Sequence, residues 1–287
     1  MKRELDIVIL SDIHLGTYGC HAKELLNYLK DIQPKILVLN GDIFDIWYFK
    51  KSFFPPEHVD VIRKILKMSA QGVKVYYLTG NHDDALRRFG EVNFGQVQLR
   101  DKLLFNIAGK SYWIFHGDVF DASIGRARWL ARLGGKGYDM LIRINRAINH
   151  TRAFFGLKPV SFSAKVKQRV KGAVKHISDF EQIAIDLALE KGYDYVVCGH
   201  IHIPQIRTIT SKEGQSVTYM NSGDWVENLT SLELSGGQWS IYKHDPNDYA
   251  IVNPLLKVAT PKEHFLSLHR ADVIPEQPAA AVAFDAL

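Results

Sequence analysis

Cysteine is nearly absent: Cys20 and Cys198 are the only two in 287 residues. Two thiols that far apart in the chain make no disulfide framework, and they fit a reducing compartment. Long apolar runs are missing too. None approaches the roughly 20 residues that a membrane-spanning helix needs. Met-Lys-Arg-Glu leads straight into a strand pattern with no secretory leader, so the expectation is a cytoplasmic protein. What remains is ordinary for a soluble globular chain, 46% hydrophobic and 23% charged. Its length is enough to bury a substantial core.

The apolar segments alternate in kind. Short runs at 7–10, 36–39 and 73–78 read as buried strands, and residues 21–30 and 56–70 read as amphipathic helices between them. Pro34 marks a break ahead of the second strand. Alternation of this sort predicts a layered α/β fold with its ligand beyond the carboxyl ends of the strands. From Val97 the texture changes to shorter strands at 97–99, 103–107 and 112–115, which predict a second sheet packed on the first. Further strands follow at 195–198, 206–210, 216–220, 229–234 and 239–242, with turns at Glu213-Gly214 and Gly236-Gly237.

The chemistry sits where these strands stop. The run 36–39 ends in Asn40-Gly41-Asp42, a carboxylate at the end of a buried strand, which is costly unless something positive meets it. One Asp in such a place is more often a turn residue or a helix cap. The design recurs, however: Asp12/His14, Asp42/Asp45, Asn81/His82/Asp83, His116/Asp118 and His200/His202 each follow a strand. Residues two apart on a strand share a face, so Asp12 and His14, or His200 and His202, are expected to approach one ion together. Five strand-end clusters built only of Asp, Asn and His point to metal, with Asp42 bridging two ions. Carboxylate, amide and imidazole ligation suits Mn²⁺, Fe²⁺ or Zn²⁺ and needs no thiolate, which leaves Cys198 as a small buried residue beside the site. Two divalent ions about 3.5–4 Å apart serve phosphoester hydrolysis.

Asp12-x-His14, Gly41-Asp42-x-x-Asp45, Gly80-Asn81-His82-Asp83, His116 and Gly199-His200-x-His202 resemble the signature of the calcineurin-like metallophosphoesterases, over roughly residues 6–245. The resemblance implies a double β-sandwich flanked by helices. It also implies that Asp12, His14, Asp42 and His202 hold one ion and that Asp42, Asn81, His116 and His200 hold the other. His82 falls where the family places a side chain that contacts the phosphate or protonates the leaving oxygen, with Asp45 orienting it. A narrower resemblance rests on Phe44-Asp45-Ile46-Trp47, His116-Gly117-Asp118, the long insertion before Gly199, and Asn221-Ser222-Gly223-Asp224-Trp225. These look like the UDP-2,3-diacylglucosamine pyrophosphatases of lipid A synthesis, which release UMP and a diacylglucosamine 1-phosphate. His82 stands where that group carries Arg, and Ile201-His202-Ile203-Pro204 departs from its Thr-His-Arg-Pro.

The chain divides into a metallophosphoesterase domain (1–245), a helical lid insertion within it (119–178) and a loosely held extension (246–287). Residues 122–178 hold thirteen Lys and Arg against one acid, Asp139, a net of +12; the whole chain is only +5, so the remainder carries −7. Leu141, Ile144, Ile148 and Phe155 keep a helical spacing among these charges. A basic amphipathic segment is the pattern of a helix on an anionic membrane surface, and it suits a lid over acyl chains and a diphosphate. Nucleic acid attracts such a patch equally well but is not the expected partner. Arg143, Arg146, Ile148 and Phe155, with Asn81 and His82, are the expected substrate contacts, at the inner membrane's cytoplasmic surface.

Overall fold

The computed structural model describes residues 2–47, 53–120 and 171–245. Strands β1 (Arg3–Leu10), β2 (Ile32–Asn40) and β3 (Lys74–Leu78) are parallel neighbours. Helices α1 (Ala22–Asp31) and α2 (Pro56–Ala70) connect them. Their later residues, Ile7–Leu10, Ile36–Leu39 and Val75–Leu78, form apolar runs because both faces are covered there. Along β1, Val8 and Leu10 pack with Leu25, Leu29, Val61 and Ile65 of the helices. Ile7 and Ile9, pointing the other way, pack with Leu103, Phe105, Ile114 and Met220. The helices bury one stripe each, Leu25 and Leu29 on α1 and Val61, Ile65 and Met68 on α2, at three- and four-residue spacing. Pro56 starts α2 where its missing N–H leaves no bond unmade.

The first sheet continues through β4 (Val92–Phe94), β5 (Val97–Arg100), β11 (Thr230–Ser235) and β12 (Gln238–Lys243), in the order β12-β11-β1-β2-β3-β5-β4. The second contains β6 (Lys102–Ile107), β7 (Lys110–Phe115), β8 (Tyr195–Cys198), β9 (Gln205–Thr210) and β10 (Ser216–Asn221), in the order β6-β7-β8-β10-β9. Helix α3 (Lys171–Lys191) covers its outer face, where Phe180, Ala184, Ile185 and Ala188 meet Val196, Val217 and Tyr219. The result is four layers, helix–sheet–sheet–helix, as expected of a double sandwich. No described helix is long and apolar enough to cross a membrane.

Two expectations change. Residues 97–99 belong to the first sheet, not the second: β5 runs parallel to β3, with Val97 opposite Val75. Leu99 is buried in the core beneath α1 and α2, and that burial decides the sheet. Pro34 does not precede β2 but lies within it, opposite Leu5. Strand β3 joins only from Ile36 onward, so at Pro34 the strand is an edge, where a residue without an N–H is tolerated. Most of the basic insertion, with Arg143, Arg146, Ile148 and Phe155, lies outside the described residues, as does the extension 246–287.

Candidate metal centre

Strands β1, β2 and β3 of one sheet and β7 and β8 of the other end at the same side of the molecule, and the segments that follow them are knitted together. The Asp12 N–H donates to the Gly41 carbonyl (3.1 Å) and the His14 N–H to the Asp42 carbonyl (2.9 Å). The Gly199 N–H donates to the His116 carbonyl (3.0 Å), and the Trp225 N–H to the Asp12 carbonyl (3.1 Å).

Strand alternation is not what aims the side chains. Asp12, His14, Asp42, His200 and His202 all have left-handed backbones, with φ of 52°, 55°, 55°, 66° and 57°. They make up five of the seven described non-glycine residues with positive φ. Each such residue costs on the order of 1 kcal/mol or more, and such strain collects where function needs a particular geometry. Here it turns consecutive polar side chains inward from segments that have already left the sheets.

Three clusters result, one of them formed by His14, Asp45 and His82. In the other two, ligand-capable atoms of Asp12, His14 and His202 lie within 4.8 Å of one another, and so do those of Asp42, His116 and His200. Asp42 faces both of these: its Oδ2 lies 3.3 Å from His116 Nε2 and 3.9 Å from His14 Nε2. His202 Nε2 stands 2.9 Å from Asp12 Oδ1. The remaining carboxylate oxygens are held by backbone, Asp42 Oδ1 by the His82 N–H (2.8 Å) and Asp12 Oδ2 by the His200 N–H (3.0 Å).

Three of the candidate ligand imidazoles have an oxygen near Nδ1. His116 Nδ1 donates to the Asn40 carbonyl at 2.8 Å, His14 Nδ1 lies 3.2 Å from Asp45 Oδ2, and His202 Nδ1 lies 3.7 Å from Asp224 Oδ2. At His116 and His14 the oxygen is close enough to fix the ring and present Nε2 forward, the usual support for a ligating histidine. His82 is placed alike, with Nδ1 3.0 Å from Asp45 Oδ2 and Nε2 3.9 Å from Asp42 Oδ2. It is the more open ring, 19% exposed where His116 is fully buried.

These residues fit divalent ions. Among the described residues, the buried atoms His14 Nε2, Asn81 Oδ1 and His116 Nε2 make no hydrogen bond, although buried polar atoms are normally paired. Burial opposes ionisation of Asp12 and Asp42, yet the imidazoles around them outweigh it, His202 and His116 for Asp12 and His116, His82 and His14 for Asp42. Both carboxyls are held below their usual range. Asp45 is also buried, and His14 and His82 bring it down to about 2. Ionised carboxylates this deep require cations. Space is equally specific: a Cβ on Gly80 would run into the Asp42 carboxylate, and one on Gly41 into the His116 ring.

Two acids of the strand-end clusters do other work. Asp83 accepts the Gly80 N–H (2.6 Å), the Ile43 N–H (3.0 Å) and the Tyr77 hydroxyl (2.5 Å), bracing the Asn81 segment against the Asp42 segment. Asp118 pairs with both terminal nitrogens of Arg87, each at 2.9 Å. Trp225 is fully buried in the core, whereas Trp47 is 37% exposed with its ring 4.9 Å from His82. The supporting roles of Asp224 and of the Asn40 carbonyl escape a reading of the sequence. Asp224 also gathers the N–H groups of Val226 and Asn228, and Asn228 Nδ2 donates to the His202 carbonyl. The one signal for it is the Asn221–Asp224 stretch itself.

The model of the calcineurin-like phosphoesterase family matches residues 5–204. A UDP-2,3-diacylglucosamine hydrolase of Stenotrophomonas maltophilia is 24% identical over 243 residues, covering 82% of this chain and 96% of its own. One from Blochmanniella pennsylvanica is 21% identical over 244 residues, covering 80% and 92%. The solved structure of an archaeal phosphodiesterase aligns with a TM-score of 0.41 at 12% identity, covering 83% of this chain and 98% of its own. The family match spans well over half of the chain and includes every strand-end cluster described above, so this protein belongs to the calcineurin-like phosphoesterases and is a metal-dependent phosphoester hydrolase.

Proposed function

We propose that the chain hydrolyses UDP-2,3-diacylglucosamine to UMP and 2,3-diacylglucosamine 1-phosphate, using two Mn²⁺ ions, at the cytoplasmic surface of the inner membrane. The observation that carries the chemistry is the position of Asp42 Oδ2, 3.3 Å from His116 Nε2 and 3.9 Å from His14 Nε2, within reach of both proposed ligand sets. Asp12, His14, Asp42 and His202 would hold one ion and Asp42, Asn81, His116 and His200 the other. The donor set of oxygen and imidazole without thiolate suits Mn²⁺, with Fe²⁺ and Zn²⁺ as alternatives. Ions held there would supply Lewis acidity toward water and the phosphoryl oxygens. The chain's own part is placement and proton delivery. His82 Nε2 faces the same space as Asp42 Oδ2 and gives its proton to the leaving oxygen, while Asp45 behind Nδ1 holds the ring.

The substrate reading draws on relatives of that name that cover four-fifths of this chain. It also draws on the +12 insertion, whose Lys and Arg contribute about 1 kcal/mol each beside an anionic membrane. Product analysis by mass spectrometry tests it: purified UDP-2,3-diacylglucosamine should yield UMP and the sugar 1-phosphate in equal amounts, and an intact substrate would sink the assignment. His82 favours a second reading, a phosphodiesterase for another nucleotide or lipid phosphate, since it replaces the Arg of the pyrophosphatase group. Under that reading a simple phosphodiester is turned over while the UDP-sugar is not.

A further inference from the structure

Arg87 lies on the short 3₁₀ turn Asp84–Phe89 that follows the Asn81–Asp83 segment, and every edge of its half-buried guanidinium is used. Nη1 and Nη2 each donate to one oxygen of Asp118 at 2.9 Å. Nε donates to Thr79 Oγ1 (3.1 Å), and Nη2 also donates to the Thr79 carbonyl (3.2 Å). Thr79 Oγ1 in turn donates to Asp101 at 2.6 Å. Thr79 stands two residues before Asn81, at the end of β3 in the first sheet. Asp118 stands two residues after His116, at the end of β7 in the second. The guanidinium fork therefore ties together the ends of two different sheets at the two segments that present Asn81 and His116. The other cluster depends on different supports, the Asp45 carboxylate behind His14 and Asp224 with Asn228 around His202.

We propose that Arg87 and Asp118 form a clamp that sets the site of the second ion, and with it that ion's affinity relative to the first. This rests on the reading in which Asn81 and His116 are ligands of the second ion. Both clamp members are positioning residues, because their polar atoms are occupied by each other and by Thr79. A planar fork that reaches a carboxylate and a carbonyl at once is a property of Arg and not of Lys, whose ammonium is a single point of charge.

Mn²⁺ alone is the probe, titrated into metal-free intact chain by equilibrium dialysis, with electron paramagnetic resonance reporting a spin-coupled Mn–Mn pair. Arg87→Lys and Asp118→Asn should each weaken the second binding step by about 10–100-fold, the range for losing a support behind a metal ligand. The first step should stay within about twofold of wild type, and the coupled signal should vanish at Mn²⁺ levels that saturate wild type. Asn81→Ala and His116→Ala serve as controls. If they too keep two ions, the two-ion reading itself is wrong. If they lose the second ion while both clamp variants bind two as wild type does, the clamp is overturned. Equal weakening of both steps would also overturn it, by showing that Arg87 supports the fold in general. Asp118→Asn keeps the volume of the buried acid, so a failure of Arg87→Lys to fold leaves the test in place.

Discussion

Asp45 Oδ2 lies 3.0 Å from His82 Nδ1. The same oxygen lies 3.2 Å from His14 Nδ1, and the two rings meet edge to face with centroids 4.6 Å apart. One carboxylate thus stands behind both the proposed proton donor and a proposed ligand of the first ion. Its removal should have two consequences where removal of His82 has one. His82→Asn should keep both ions and slow turnover by about 10²–10⁴-fold, the span for a general acid. Asp45→Asn should slow turnover and also weaken metal binding by roughly 10–100-fold, since His14 loses its support. Dialysis against Mn²⁺ with parallel rate measurements separates them. Equal metal affinity in the two variants would remove Asp45 from the support of His14.

In the proposed site Asp42 serves both ions. Asp42→Ala should lose metal and activity in step, because each proposed ion site loses a carboxylate ligand. Enzymes of this kind lower barriers by at least about 8 kcal/mol, on the order of 10⁶ in rate, and a site without its bridge does not supply that. Stoichiometric metal with near-normal turnover in this variant would falsify the dinuclear assignment.

Much of this is legible in the sequence, and the reason is physical. Buried strands covered on both faces leave apolar runs with no alternation, and an Asp or His directly after such a run stands out. That is how Asp12, His14, Asp42, Asn81, His116, His200 and His202 are found, and the structure brings them to one end of the molecule. The finer distinctions are not local. Asp83 and Asp118 follow strands as Asp42 does, yet one binds backbone N–H groups and a tyrosine and the other binds Arg87, partners that only tertiary packing supplies. The left-handed backbone of Asp12 and His14 has no glycine at those positions to announce it. Likewise, nothing in residues 97–99 alone says which sheet they join.

Gly80 tests the geometry of Asp42 without touching a ligand. Its φ is not in the left-handed region, so the need for glycine there is one of space: a Cβ would meet the carboxylate and backbone nitrogen of Asp42. Gly80→Ala should displace the Asp42 carboxylate and reduce kcat/KM by about 10²-fold, as a misplacement of about 1 Å does. Gly72→Ala is the control, at an exposed position with open space around it and φ of 96°. It carries backbone strain but should leave the rate unchanged. A Gly80→Ala rate matching that of the control would mean that the Asp42 segment tolerates the shift.

Asp83 should behave as a brace rather than a ligand. Burial raises its carboxyl above the usual range, and nearby Asp42 adds to this, while the Tyr77 hydroxyl and the Gly80 N–H act the other way. Asparagine at this place offers one acceptor oxygen and one amide group, and the amide would face a donor. Asp83→Asn should cost about 1–3 kcal/mol in urea unfolding, the penalty for an unmade buried hydrogen bond. Metal stoichiometry at saturating Mn²⁺ should remain at two. A variant of unchanged stability that binds one ion fewer would reassign Asp83 to the metal.

The insertion supplies the last test, because its charge and its apolar residues act through different forces. Attraction of Arg143 and Arg146 to an anionic surface is screened by salt. Apolar contact through Ile148 and Phe155 is insensitive to salt and contributes roughly 25 cal/mol per Å² buried. Reversal of Arg143 and Arg146 to Glu should therefore weaken binding to anionic vesicles, most at low ionic strength. Replacement of Ile148 and Phe155 by Ser should raise KM for a diacylated substrate and leave a small soluble phosphodiester unaffected. A surface made for nucleic acid would respond to the charge reversal yet show no preference for acylated substrate. If the Ser variants treat long-chain and chain-free substrates with unchanged relative efficiency, the apolar residues serve packing alone, and the lipid reading loses the support that comes from this chain's own sequence.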